Sequence, residues 1–146
     1  MNIPKKILVP LDFSEAAAPV LECAVIYAEA FDASLIVMHA ADDPVLNAPS
    51  TSDEYRQRFE EELDEKLNHL VGKDVRQRVN IQLVTTSGGA AVEVCSYTEQ
   101  NDVDLIIMGT HGRGAIAKMI LGSVADKVVR LAPCPVLTIR SYRGGD

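Results

Sequence analysis

The chain has no tryptophan, few aromatic residues and only three cysteines, and each shortage narrows what it can be. Cys23, Cys95 and Cys134 are odd in number, stand far apart and form no CxxC pair. The histidines, His39, His69 and His111, are equally scattered. That pattern suits neither a disulfide framework nor a cysteine–histidine metal site, and it points to a reduced cytoplasm. Long apolar runs are missing as well. The run that follows Lys5 and Lys6 ends at Asp12, so it reads as a strand and is too short for the apolar region of a signal peptide. No stretch approaches the roughly eighteen apolar residues of a membrane span. Positive charge is in deficit: 14 Lys and Arg face 21 Asp and Glu, a formal net charge of −7. This balance argues against nucleic acid or a membrane surface as partner. Finally, the Gly72-Lys73 pair is followed by Asp74 and has Leu67 where the first glycine would stand, so it does not form a Walker A phosphate loop.

What is present is the composition of a globular protein, with 47% hydrophobic residues in 146. That length predicts one domain, residues 1–146, burying roughly 68–70% of its unfolded surface. Short, nearly continuous apolar runs at 5–11, 34–40, 103–109 and 134–140 read as strands buried on both faces, the habit of parallel sheets. A fifth run, 78–86, alternates at first and so suits an edge. Between them lie helical patterns. Residues 15–31 repeat Ala17, Val20, Leu21, Ala24 and Ala28 at helical spacing behind Ser14 as a candidate N-cap, with Pro19 late for a first turn. Thr51 and Glu54 stand at capping-box spacing before a helix reaching about residue 71, with Tyr55, Phe59, Leu63, Leu67 and Leu70 on one face. The acidic residues of 53–65 then occupy its solvated side. Gly88-Gly89 turns into a helix over 90–101, and a last helix covers about 118–132. Five strands joined by crossovers predict a doubly wound α/β domain with a parallel sheet. In such sheets ligands bind beyond the carboxyl ends of the strands, where the strand order reverses.

Four of the nine glycines fall between Gly109 and Ser123, in GTHGRGAIAKMILGS. Glycine inside an element costs roughly 0.5–1 kcal/mol relative to alanine, so the cluster implies a tight turn or a backbone close to a ligand. Gly112-Arg113-Gly114-Ala115-Ile116-Ala117 satisfies G-x-G-x-x-[GA], but it starts late after its strand and lacks the acidic residue expected about twenty positions on. The more informative spacing is Gly109, Gly112, nine residues, then Gly122-Ser123.

This G-x-x-G-x9-G-[ST] spacing resembles the ATP-binding signature of the universal stress protein family. KKILVPLDFSEAA is similar to that family's first strand, LIVMHA to its second, DLIIMGTHGRG to its fourth and LGSVADKVVRLAPCPVL to its C-terminal signature. The resemblance spans essentially the whole chain. It implies a five-stranded parallel sheet of order 3-2-1-4-5 with helices on both faces, Rossmann-like and adenine nucleotide alpha hydrolase-like. In that order Asp12 and Gly109 end the two strands at the reversal.

The resemblance also implies roles. Asp12, flanked by Pro10 and Leu11, would accept hydrogen bonds from a ribose, and the backbone at Ala40 would meet the adenine edge. Gly109 would sit beside the ribose, between Met108 and Thr110, and Gly112 would open a phosphate loop that includes His111, Arg113 and Gly114. Gly122, Ser123 and Val124 would present N–H groups at a helix start, where the dipole favours phosphate. Each charge-assisted bond is worth roughly 1.5–3 kcal/mol. Two readings of Asp12 stand side by side, cap of the first helix or ligand acceptor. His39 reads as a packed strand histidine, ahead of a catalytic base.

No partnered general base, nucleophile pair or acidic metal cluster is legible, so no catalytic and no metal-binding residue is assigned. The expected function is ATP binding, with or without Mg2+, in a regulatory stress-response role through conformation or partner choice. The alternatives are a slow or self-phosphorylating ATPase and a cyclic-AMP-binding relative. A homodimer through antiparallel pairing of the fifth strand, Pro135 to Arg140, and a regulatory protein partner are implied; nucleic acid and membrane insertion are not.

Overall fold

The computed structural model describes residues 2–14, 16–41, 43–110 and 121–140. The expected phosphate-loop residues His111, Gly112, Arg113 and Gly114 lie outside them, as do the expected start of the last helix at 118–120 and the tail from 141.

The strands are β1 (Lys6–Pro10), β2 (Ser34–Ala41), β3 (Ile81–Ser87), β4 (Leu105–Gly109) and β5 (Val136–Ile139). They form one sheet of order β3-β2-β1-β4-β5, and every pairing is parallel. The near-continuous apolar runs occupy the centre: Ile7 to Val9, Leu35 to Met38 and Leu105 to Met108 are all buried. Strands covered on both faces have no polar side to alternate with, which is why they read as unbroken runs. β3 lies at one edge, where the alternation of Ile81 and Gln82 placed it, and β5 lies at the other.

The helices are α1 (Ala17–Phe31), α2 (Pro44–Asn47), α3 (Asp53–Leu70), α4 (Lys73–Arg78), α5 (Ala90–Gln100) and α6 (Ser123–Leu131). They divide between the two faces of the sheet. Odd-numbered β1 residues Ile7 and Val9 pack with Leu35, Val37 and Ile107 beneath α1 and the α3 residue Leu67. Leu8, Ile36, Met38, Ile106 and Met108 form the opposite core with Val94 of α5 and Ala125 and Val128 of α6. Among the described residues no helix is long and apolar enough to cross a membrane.

Several boundaries differ from expectation. α1 starts after Ala16, which makes no side-chain cap bond, so Ser14 is not its N-cap. Starting at Ala17 places Pro19 inside the first turn, where its missing N–H has no intrahelical partner to lose. α3 is capped by Ser52, whose Oγ accepts from the Tyr55 N–H at 3.2 Å, and not by Thr51. Thr51 instead donates its hydroxyl to the Val45 carbonyl. Leu63 and Leu67 are buried, whereas Tyr55 in the first turn of α3 and Leu70 at its end are exposed. The short helices α2 and α4 were not legible, since one turn carries too little periodicity. α4 takes residue 78 out of the third strand, which begins at Ile81.

Candidate functional site

The chain turns from β1 to β2 on one side and places β4 on the other, so the strand order reverses between β1 and β4. The backbone shows why the two strands part there. Leu11 N donates to Met38 O at 2.9 Å, which sets the odd residues of β1 facing β2 and the even ones facing β4. The β1–β2 pairing runs as far as Pro10 opposite Met38. The β1–β4 pairing ends at Leu8 opposite Ile106. Its next rung needs an N–H from Pro10, and proline has none. Pro10 thus ends the ladder on the β4 side only and leaves the carboxyl ends of β1 and β4 free to separate.

Asp12 stands at the mouth of this opening. Its Oδ1 accepts from the Ser14 N–H at 2.9 Å, closing a turn around Phe13. Phe13 has φ of 57°, a left-handed conformation that costs a non-glycine residue roughly 1–2 kcal/mol. Its ring packs on the α1 core and lies 5.6 Å from the His39 ring, which offsets that cost. His39 Nδ1 donates to the Leu11 carbonyl at 3.1 Å, tying the end of β2 to the end of β1. The Asp12 turn is thus held in place at the carboxyl end of β1. The carboxylate therefore organises the turn before α1 and does not cap that helix, whose N-cap is Ala16. His39 is the packed strand histidine expected, wedged between Phe13 and Phe59, 6.2 Å away.

The opposite wall is built by β4 and α6. Gly109 is the last residue of β4 and is half-buried behind the fully buried Ile107. Thr110 N donates to Ile139 O at 2.9 Å, and Gly122 N donates to Thr110 O at 2.6 Å. The chain thus returns to the end of β4 before α6 begins, and α6 starts at Ser123, not near residue 118. Gly122, the N-cap, has φ −67° and ψ 163°, which any residue can adopt. Its want of a side chain therefore matters for space and not for backbone freedom. The N–H groups of Ser123, Val124 and Ala125 have no acceptor inside the helix, and the positive end of the helix dipole adds to their pull on an anion. Asp126, the acid of this first turn, is engaged by Arg130 Nε at 3.2 Å.

Met108 is buried one residue before Gly109, and Ala40 is half-buried near the end of β2, opposite Thr86 of β3. Pro10, Leu11, Asp12, Ala40, Met108, Gly109, Thr110, Gly122, Ser123 and Val124 accordingly all lie at or just beyond the carboxyl ends of the strands or at the adjoining helix start. Two further groups share that edge, the buried hydroxyls of Ser14 and Thr86, neither of which has a hydrogen-bond partner. An orphaned hydroxyl costs about 1–3 kcal/mol. The sequence marked Ser14 only as a helix cap and Thr86 not at all; Phe13 was legible only as part of a D-F-S turn. Away from this edge, burial pushes the Cys23, Cys95 and Cys134 thiols up, and for Cys134 the Asp104 charge adds to it. A raised thiol holds less nucleophilic thiolate at neutral pH.

Fold and site together define a doubly wound α/β protein whose strand order reverses between β1 and β4. The sequence profile of the Universal stress protein family matches residues 4–140, and the chain belongs to that family. It is 34% identical over 141 residues to a universal stress protein of Thermus aquaticus, covering 93% of this chain and 98% of the relative. Universal stress protein MJ0531 of Methanocaldococcus jannaschii is 30% identical over 142 residues, covering 95% and 84% respectively. Among solved structures, the protein MJ0577 superposes with a TM-score of 0.81 at 26% identity, covering 98% of this chain and 100% of that one. A universal stress protein in complex with cAMP (TM-score 0.68, 20% identity, coverage 97% and 100%) shares the fold. So does the universal stress protein from Archaeoglobus fulgidus in complex with dAMP (TM-score 0.64, 22% identity, coverage 95% and 100%).

Proposed function

We propose that this chain is a regulatory nucleotide-binding protein whose ligand is ATP, alone or with Mg2+, and whose output is conformation or choice of partner. The observation that carries the reading is the meeting of Asp12, Gly109 and the Gly122-headed start of α6 at the reversal of the sheet. A carboxylate there can accept from ribose hydroxyls, glycines leave room for the sugar and phosphates, and unpaired helix N–H groups suit the phosphate charge. The orphaned hydroxyls at the same edge add support, as polar groups for which a ligand or its water could supply the missing bond. Two proteins of this fold hold adenine nucleotides, cAMP in one and dAMP in the other. Slow hydrolysis or self-phosphorylation gains no support from a partnered base, so binding without efficient turnover is the function proposed.

The test is a mass spectrum of the small molecule released when the purified protein is denatured, paired with calorimetry in millimolar Mg-ATP. An adenine nucleotide in the first and saturable heat in the second are expected. At a hundred times Kd the ligand should also stabilise the fold by about 2.7 kcal/mol. No heat and no thermal stabilisation with ATP would overturn the proposal, and binding of cAMP in place of ATP would transfer it to the cyclic nucleotide.

The same reading includes a homodimer through β5 and its flanks, Pro135 to Arg140. β5 is an edge strand whose residues Val136, Leu137 and Ile139 are half-buried and carry no charge. An uncharged apolar edge invites pairing. Sedimentation at micromolar concentration should give a dimer, and Ile139→Glu should shift it to monomer. A wild-type monomer under those conditions would remove the dimer from the proposal.

A further inference from the structure

The opposite edge of the sheet is also open, and its surroundings are different. Leu35 N donates to Asn80 O at 2.9 Å, and Leu35 lies opposite Ile81. In a parallel ladder the residues of one strand face the neighbour alternately, so Asn80, Gln82, Val84 and Thr86 point their backbone groups to β2. Ile81, Leu83 and Thr85 point theirs outward. Arg76 Nη2 reaches the Ile81 carbonyl at 3.5 Å, which leaves the outward N–H and C=O groups of Leu83 and Thr85 as the open stretch. Edge strands are commonly guarded by lysine, proline or inward-pointing charge. β3 reads Ile-Gln-Leu-Val-Thr-Thr-Ser and carries none of these.

Beside this edge runs an open groove of about 660 Å³ between β3 and α3. Its α3 wall presents Glu60, Glu61 and Asp64, against the single guanidinium of Arg76. Glu60 Oε1 accepts from the Thr85 hydroxyl at 3.2 Å, so the acidic wall stands directly over the open stretch. Asp64 is the acid that Arg76 engages, at 3.5 Å, which leaves the charge of Glu60 and Glu61 without a cation in the groove.

We propose that this edge docks an extended segment of a partner protein that carries lysine or arginine at alternate positions. The segment adds a sixth strand, hydrogen-bonding to Leu83 and Thr85. Side chains alternate along a strand, so every second residue of the guest falls on the α3 side and meets Glu60 and Glu61. The intervening residues fall on the other face of the sheet, beside the half-buried Val84. A second copy of this chain is a poor occupant, because it would bring an identical acidic α3 wall against the first. The site lies across the sheet from β5 and from the β1–β4 crevice, so it stands or falls independently of nucleotide binding.

Fluorescence anisotropy with the full chain and a labelled eight-residue peptide of alternating lysine and valine tests this. Saturable binding that weakens with salt is expected. Glu60→Gln combined with Glu61→Gln should weaken it at least tenfold. Thr85→Pro should abolish it, because proline removes an outward N–H while the rungs to β2 come from Val84 and Thr86. Far-UV circular dichroism checks the fold of both variants, and the surface glutamine pair serves if the proline variant does not fold. A lysine–valine peptide N-methylated on alternate backbone nitrogens, which keeps the charge and loses strand pairing, should not bind. Equal binding of that peptide would reduce the interaction to unspecific charge attraction and overturn the proposal. So would no binding of the parent peptide at millimolar concentration, or a change in oligomeric state of the Thr85→Pro protein that marks the edge as self-associating.

Discussion

Gly122→Val is expected to weaken ATP binding at least tenfold, about 1.4 kcal/mol, in a protein that still folds. The reason is space at a helix start. Gly122 lies in extended backbone that valine can adopt, and its N–H is already committed to Thr110 O at 2.6 Å. A branched side chain at this N-cap stands over the N–H groups of Ser123, Val124 and Ala125 and keeps a phosphate from closing on them. Those bonds are charge-assisted and weaken steeply when lengthened. Valine is also a poorer N-cap than glycine, so thermal unfolding must accompany the titration. Gly122→Ala, with a smaller obstruction, should fall between wild type and valine. Full affinity in a folded valine variant would mean that the phosphate lies elsewhere.

The largest effect on stability is expected from Leu8→Ala. Leu8 is wholly buried in the central strand and packs in the core shared by β2, β4, α5 and α6. Deleting most of its side chain removes transfer free energy and leaves a cavity in a region that the sheet holds rigid. The cost should be about 2–5 kcal/mol. For a chain of this size each kcal/mol lowers Tm by roughly 2–4 °C, so a fall of about 4–20 °C is expected in calorimetry. Val92→Ala is the control: that side chain is 71% exposed, and the change should stay within about 0.5 kcal/mol. A Leu8→Ala midpoint as high as that of Val92→Ala would mean that β1 is not the packed centre of the sheet.

The difference between what could be read early and what could not follows from the range of each interaction. Burial on both faces leaves a local mark, the unbroken apolar runs of β1, β2 and β4, and the glycine spacing of the β4–α6 segment is likewise visible in the chain itself. Capping is decided by the backbone at one residue, and there neighbouring candidates compete: Ser52 won over Thr51, and α1 begins after Ala16, two residues past Ser14. Helices of one turn, α2 and α4, have no period to read. Contacts such as His39 Nδ1 to Leu11 O join residues 28 apart and have no sequence signal at all.

By itself, then, the sequence determined a doubly wound α/β fold, its buried strands, the alternating edge strand and the glycine and aspartate positions at the carboxyl ends of β1 and β4. Hydrophobic period and residue chemistry are local properties, so they need no partner to be legible. Only the tertiary structure decided which backbone groups face which neighbour. It turned Pro10 from a proline near a strand end into the missing rung that lets β1 and β4 part. It also left Leu83 and Thr85 facing outward beneath an acidic helix. Those consequences depend on strand parity, and parity exists only once the strands are paired.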